Sequence, residues 1–459
     1  MLDSFSRMMK GTAAGDGAPS GEKSRQRGFS FPGGSRLPHR KELSRDAALE
    51  SMPYPAVAVV PLRQHAGAPA QPSVQIGQPV RIGERIGNAT DGISAHVHAP
   101  VSGKVIDIRD LPCVGGKTSL CVIIENDHEN SAAFMPPLDA WATAPELLLR
   151  RIEDAGIVGL GGATFPSKVK LEVPRGKSCD TLLVNGIECE PYLTADGRLM
   201  LERASSIVRG IQMVLRLLHV DRAIVGIEDH NRKAIAAMHK AAANCPEITI
   251  RTMKTRYPQG QEKMLIRAAT GRTVAMGSLP IDAGVIVHNV GTIHAIDEAI
   301  TLGKPLVDRV VTVSGEAIAR PKNLLVRVGT PVRELLEYCG GCTAGEVAVF
   351  AGGPMMGSAL ESLDLPIEKG ISGIIAVPAR AVKKGVRYPC IHCGACSRAC
   401  PMQLSPSLVS DYAESGNLRE AKAAGVLACC NCGLCSLVCP SNRSNAEQIW
   451  RYRSLAQRK

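Results

Sequence analysis

Between residues 141 and about 300 the chain alternates two hydrophobic periods. APELLLRRIEDAG sets apolar residues at helical spacing and stops at Gly156. TLLVN reads as a short strand running into an acidic turn with Glu188 and Glu190. LMLERASSIVRGIQMVLRLL predicts a helix, RAIVGIED a strand, NRKAIAAMHKAAA a helix and EITIRTM a strand. YPQGQEKMLIRAATG and the apolar strand GVIV follow. This alternation describes an α/β layer, and strand ends entering Gly or acidic loops are where such sheets bind ligands.

The flanks have other rhythms. Residues 57–125 are strand-like and short-looped. DRVVTVSGEAIARPKNLLVRVGTPVRELLEYCGG reads strand, hairpin, strand, helix, which predicts a β-grasp module over 305–355. SPSLVSDYAESGNLREAKAAGVLA reads as two short helices separated by Ser415-Gly416-Asn417. The first 28 residues have no apolar core, so they are read as a loose tail (1–30) and not a secretory signal. No apolar run approaches the roughly 18 residues needed to span a bilayer.

The length of 459 residues suggests about three domains. The expected divisions are 31–135, 136–300, 305–355, a connecting segment 356–384, a cysteine-rich segment 385–445 and a basic tail 446–459. Net charge is +11, and residues 380–459 carry 12 Lys and Arg against 4 Asp and Glu. That excess keeps the segment soluble, or attracts an acidic electron carrier or anionic headgroups. No nucleic-acid motif accompanies it, so nucleic acid is not an expected partner.

Of the 16 cysteines, most lie in tight local sets. Without a secretory signal, such sets favour metal ligation over disulfides. Cys390, Cys393, Cys396 and Cys400 precede Pro401; Cys429, Cys432, Cys435 and Cys439 precede Pro440. Both read C-x2-C-x2-C-x3-C-P, the two-cluster ferredoxin spacing in which the fourth Cys serves the other cluster. Cys390, Cys393, Cys396 and Cys439 are therefore expected to hold one [4Fe-4S] cluster, and Cys429, Cys432, Cys435 and Cys400 the second. Gly394 and Gly433 relieve crowding where the ligand loops turn. Cys430 is a bystander. Two zinc sites are the competing reading, but zinc takes separated ligand pairs and not duplicated runs.

Elsewhere the chemistry is less specific. Gly159-Leu160-Gly161-Gly162 offers backbone N–H groups to a phosphate or flavin, with Lys168 as a phosphate partner, or is only a turn. It does not match G-x-G-x-x-G. Glu188 and Glu190 after Asn185-Gly186 suit ribose or amide recognition, or are solvated; Glu262 reads the same two ways. Asn289 and Thr292 are placed to hydrogen-bond a phosphate or flavin edge. Met355 and Met356 are expected to pack. Cys339 and Cys342 form a C-x2-C without a second pair, and ordinary thiols are the expectation.

The order of motifs resembles the RnfC/RsxC family, a component of the Rnf/Rsx-type membrane electron-transport complex. FPGG near residue 31, HAPVSGKV, GLGGATFPSKVK, VNGIECEPYLTADGRLM, KTRYPQGQEKMLIRAATGR, VHNVGT, FAGGPMMG, KGISGI and both cysteine runs carry it. The middle motifs also resemble the flavin- and NADH-binding subunit of respiratory complex I. A related cobalamin reductase shares the middle and cluster parts but typically lacks the N-terminal segment.

The resemblance implies a multidomain α/β fold. Its parts would be an N-terminal barrel-sandwich hybrid like biotinyl and lipoyl carriers without their modified Lys, an FMN/NADH domain like that of the complex I 51-kDa subunit, an SLBB-like β-grasp module and a C-terminal two-[4Fe-4S] helical domain. It implies non-covalent FMN at Gly159, Gly161, Gly162, Lys168 and Asn185, closed by Asn289 and Thr292. Glu188 would lie near the nicotinamide of NAD(H), with Glu262 beside the nucleotide. No side chain is expected to act as an acid–base catalyst. The implied role is a peripheral subunit at the cytoplasmic face of the inner membrane, passing electrons between NAD(H), FMN and the clusters. Its expected partners are integral membrane and flavin-bearing subunits and an iron–sulfur subunit or ferredoxin. The alternatives are a soluble flavin/iron–sulfur reductase and an iron–sulfur relay lacking FMN. Two departures stand out: Thr164 replaces a Gly of the complex I pattern, and Ala195 replaces its usual Cys.

Overall fold

The computed structural model describes residues 30–382 and 385–458. The expected tail over 1–30 lies outside those residues except for Ser30.

Four parallel strands form the middle layer, in the order Ile248–Met253, Ala223–Glu228, Thr181–Gly186, Val285–Asn289. Their near-continuous apolar sequences suit a parallel sheet covered on both faces. Helices Pro145–Asp154, Ala204–Leu218 and Val290–Thr301 bury Leu148, Ile152, Ile211 and Ile293 with Leu182, Val184 and Ile286 of the sheet. Helix Glu262–Thr270 covers the other face, where Leu265 and Ile266 join Leu183, Ile224 and Phe31. The helix expected over 199–218 is two, Ala195–Glu202 and Ala204–Leu218, parted at Arg203. The first begins earlier than its apolar pattern because its N-terminus is capped by the acidic turn described below.

Residues 57–126 form the expected barrel-sandwich. One sheet has the order Val57–Pro61, Lys117–Asn126, Gly103–Cys113, Pro79–Val80; the other joins Gln71–Pro72, Arg85–Asn88 and Val97–His98. Val60, Ile86, Val105 and Ile124 fill the space between them.

A six-stranded sheet follows, in the order Leu49–Ser51, Lys322–Arg327, Asp308–Ser314, Gly373–Pro378, Val347–Ala351, Ser358–Ala359. Two expected boundaries change here. Gly373–Pro378, assigned to a connecting segment, is a central strand, paired on one side with Asp308–Ser314 and on the other with Val347–Ala351. Its apolar GIIAVP is buried on both faces, which a linker would not be. Leu49–Ser51, assigned to the N-terminal domain, is the edge strand.

The last segment is helical: Ala395–Ala399, Pro406–Glu414, Leu418–Ala423, Leu434–Leu437 and Asn445–Arg458. The expected helix pair is present, with Gly416 at φ +75° and Asn417 capping the second helix. The basic tail is the helix Asn445–Arg458, because Ala446 and Ile449 share a face and bury it; Ile449 packs on Val409, Ala421 and Val426. A strap formed by residues 30–37 ties this segment to the α/β layer. Phe31 is buried in the α/β core under Arg256, Ser35 pairs with Tyr257, and Gly34 N donates to Ala399 O at 2.9 Å. No helix among the described residues is long and apolar enough to cross a membrane.

Candidate functional site

The parallel strands end together, so their register decides what meets. Asn185 and Asn289 are direct partners on adjacent strands, and Gly226 is opposite Asn185 on the other side. Asn185 Nδ2 donates to Gly260 O at 2.9 Å and its Oδ1 accepts from Ile187 N. Asn289 caps the helix Val290–Thr301 through Gly291 N and donates to Asp196 at 2.7 Å.

The Gly-rich loop lies over these strand ends. A β carbon on Gly161 would lie 3.5 Å from Asn289 Cβ. Gly162, at φ +99°, faces open space, and Gly161 to Ala163 are exposed. Gly159 N to Phe165 O and Thr164 N to Gly159 O close the loop on itself. Thr164 adopts a left-handed backbone, at φ +49°. Its methyl group points to Gly370, where an added β carbon would lie only 2.9 Å away.

The loop's supports come from all three modules. Leu160 N donates to the buried Thr292 hydroxyl at 2.8 Å, so Thr292 braces the loop from beneath. Arg309, fully buried, donates to Leu160 O at 2.6 Å and Ile371 O at 2.8 Å; burial lowers its pKa to about 10. Ala66 N reaches Thr164 O. Lys369 donates to His96 O at 3.0 Å and Gly156 O at 2.9 Å, and burial lowers its pKa to about 7. Arg309, Lys369 and Gly370 were not anticipated; the KGISGI motif was the one signal near two of them.

Carboxylates gather beyond the same strand ends. Glu188 accepts from Asp196 N at 2.9 Å and Gly197 N at 3.4 Å, capping the helix Ala195–Glu202, and lies 3.7 Å from the buried Lys41 ammonium. Burial outweighs Lys41 and raises its pKa to about 7. Glu190 accepts from Met355 N at 3.0 Å, and burial raises it likewise to about 7. Two other named residues sit further out. Lys168 pairs with Glu172 at 3.2 Å and Glu153 at 3.5 Å, so its charge is already shared at the surface. Glu262 pairs with Lys170 at 2.7 Å.

The eight cysteines divide between two pockets. One is lined by Cys390, Cys393, Cys396 and Cys439, with Ile391 and Arg443. The other is lined by Cys400, Cys429, Cys432 and Cys435, with Met402 and Ile449. Each pocket thus takes three cysteines from one run and the fourth from the other. Gly394 and Gly433, at φ +69° and +77°, make the turns into the short helices that carry the third cysteine of each run. Among the described residues no three His, Cys, Asp or Glu side chains converge as a single metal ion requires. A cubane takes one thiolate at each of four irons, a different requirement from a single-ion site. Cys430 also borders the second pocket, its thiol hydrogen-bonded with Cys432.

The second pocket abuts the strand ends. Tyr257 donates to Cys432 O at 2.8 Å and lies 3.5 Å from Glu190. Met355 is buried against Gly433, whereas Met356 is exposed. Away from both pockets, Cys113 and Cys121 hydrogen-bond to each other, Cys339 is buried and Cys342 exposed.

Three family models match the chain: the RnfC barrel sandwich hybrid domain over residues 29–129, the Nuo51 FMN-binding domain over 152–298 and the SLBB domain over 310–359. Among similar proteins is the C component of the proton-translocating ferredoxin:NAD(+) oxidoreductase complex of Clostridium ljungdahlii, 44% identical, covering 86% of each chain. Its counterpart in the Na(+)-translocating ferredoxin:NAD(+) oxidoreductase complex of Acetobacterium woodii is 39% identical over 84% of this chain and 87% of its own. The corresponding component of the ion-translocating oxidoreductase complex of Rhodobacter capsulatus is 40% identical over 87% and 78%. A chain of an air-oxidized NAD+-reducing [NiFe]-hydrogenase shares the fold at TM-score 0.50 and 19% identity, over 68% of this chain and 66% of that one.

Proposed function

The chain belongs to the RnfC family of Rnf-type ion-translocating oxidoreductase complexes, and from that premise we propose that it passes electrons between NAD(H), FMN and two [4Fe-4S] clusters as a peripheral subunit of a ferredoxin:NAD+ oxidoreductase. The observation that carries this reading is the division of eight cysteines into two crossed sets of four. Membrane and flavin-bearing partner subunits would supply ion movement, and the chain would attach to them at the membrane surface.

The strand ends suit a flavin. Gly161 and Gly162 leave exposed backbone without β carbons, and Asn289 stands beside them. FMN, when bound, accepts two electrons as hydride and releases them singly, which links a nicotinamide to one-electron clusters. The chain's own residues orient and enclose. Gly159, Gly161 and Gly162 shape the cradle, Asn185 and Asn289 line its floor, and Thr292 and Arg309 hold the loop at its height. Lys168 and Glu262 would reach a phosphate or nucleotide only by leaving Glu172 and Lys170. Glu188 keeps the following helix in place and sets a carboxyl group beside the dinucleotide's path.

Anaerobic purification followed by iron, sulfide and flavin analysis tests the proposal. Roughly eight irons and eight sulfides per chain are expected from two cubanes, with one FMN that NADH bleaches. Iron without FMN after reconstitution would leave a relay subunit, and zinc without sulfide would end the two-cluster reading.

A further inference from the structure

Of the two cysteine pockets, the inner one, holding Cys400, lies against the strap at Gly33 and Gly34. The outer one, holding Cys390, opens among the exposed residues 391–393. Past the strap, residues 39–44 grip the acidic turn over 187–194. His39 O accepts from Tyr192 N at 2.9 Å, and the Ser44 and Thr194 hydroxyls bond at 2.8 Å. Lys41, buried, donates to Glu188 O at 2.6 Å and to Leu193 O, and its ammonium lies 3.7 Å from the Glu188 carboxyl. The turn needs this grip. Tyr192 has φ +68°, a left-handed conformation that a bulky residue keeps only where its surroundings impose it.

Lys41 is also the cation shared by four carboxyls. Glu188 and Glu190 stand on the turn, Asp196 on the helix that follows and Glu228 at the end of the neighbouring strand. Burial raises Glu188, Glu190 and Glu228 each to about 7 and raises Asp196 as well, while the Lys41 charge lowers all four. Arg309, from the six-stranded sheet, also acts on Asp196 and Glu188. Glu228 Oε2 has no hydrogen-bond partner among the described residues, and Asp229 beside it is bonded to Thr255 at 2.6 Å. His230, 3.6 Å from Glu228, stacks on His39 at 4.8 Å. Burial lowers both histidines, His230 to about 4, so neither is charged near neutral pH. An ionised carboxylate accepts through both oxygens, as Glu188 does from Asp196 N and Gly197 N; a protonated one turns one oxygen into a donor.

Resting on the dinucleotide reading above, we propose that Lys41 is a positioning residue for the NAD(H) site: it clamps the acidic turn and supplies the counter-charge to Glu188. A segment ahead of the barrel-sandwich thus completes a site built in the α/β layer. Lys41 touches no dinucleotide itself; it acts through Glu188 and the helix that Glu188 caps.

The test uses the full chain with its clusters and FMN, and NAD+ as the probe, because NAD+ meets oxidised flavin without reaction. Dissociation constants are measured from about pH 6 to about pH 9, across the range where these carboxyls titrate. Affinity is expected to rise with pH through a midpoint near 7, where Glu188 ionises. Lys41→Met should move that midpoint up by about one pH unit, and Lys41→Arg, which keeps the charge, should return it. Glu188→Gln cannot ionise and should flatten the curve. The infrared absorption of protonated buried carboxyls, titrated without nucleotide, should follow the same midpoints. A brace without an electrostatic part would weaken NAD+ binding equally at every pH and leave the midpoint in place, which would overturn the proposal alone. If Lys41→Met does not fold, a Glu188→Gln curve as steep as that of the unaltered chain overturns it instead. An unaltered, FMN-loaded chain that binds no NAD+ at any pH would overturn it together with the dinucleotide reading.

Discussion

Thr164 adopts a backbone conformation that costs most residues about 1–2 kcal/mol, and the chain accommodates it by leaving Gly370 without a side chain beneath its methyl group. The pair makes a specific prediction. Gly370→Ala should overpack the contact, at roughly 1–3 kcal/mol, and lower FMN retained per chain. Adding Thr164→Gly should restore it. If both variants retain FMN equally, the contact does not govern the loop. Lys369 makes a second prediction, through pH. Its pKa is near 10.5 when unfolded and about 7 when folded. Between these values the unfolded chain holds more protons, so stability should rise with pH across that window. Lys369→Met removes the titration. From pH 7 to 9 the melting temperature of the unaltered chain should therefore gain on that of the variant; parallel curves would show that burying the amine carries no penalty. Sequence reading put Asn185, Asn289 and the glycines at strand ends and turns, where they lie. It missed Arg309 and Lys369 because a buried cation held by distant carbonyls leaves no local pattern.

At the scale of elements, the cysteine runs were the most legible feature, since their spacing anticipates both the turns and the grouping of each fourth cysteine with the other run. The exchange can be checked directly. Cys400→Ser should remove the cluster beside Tyr257, and Cys439→Ser the one beside Ile391, each leaving roughly four irons. Cluster EPR should show different survivors in the two variants. Identical spectra would mean the sets are not crossed. The strand Gly373–Pro378 was less legible: GIIAVP is a short apolar run after a long loop, and nothing local says that it inserts between two strands already formed. The break at Arg203 was hidden similarly, because the apolar period continues across it while Glu188 caps the helix ahead of it.

Across the whole molecule, the module order was legible and the ties between modules were not. Leu49–Ser51 pairs with residues 323–325, and the strap reaches Ala399; both depend on contacts across hundreds of residues. Gly33 is the strap's tightest point, at φ +64°, with a β carbon position 2.4 Å from Cys400 O. Gly33→Ala should lift the strap off the inner ligand loop. In air, the inner cluster's absorbance and EPR signal should then bleach several-fold faster than the outer one's, whereas equal bleaching would show that the strap does not shield it. The same contact has a consequence for biogenesis. The strap is synthesised hundreds of residues ahead of its seat at Ala399 and Cys400, so it waits without its partner while the modules between them are made. The inner loop therefore gains the strap's contact only when the two ends of that stretch meet, after the modules between them are made.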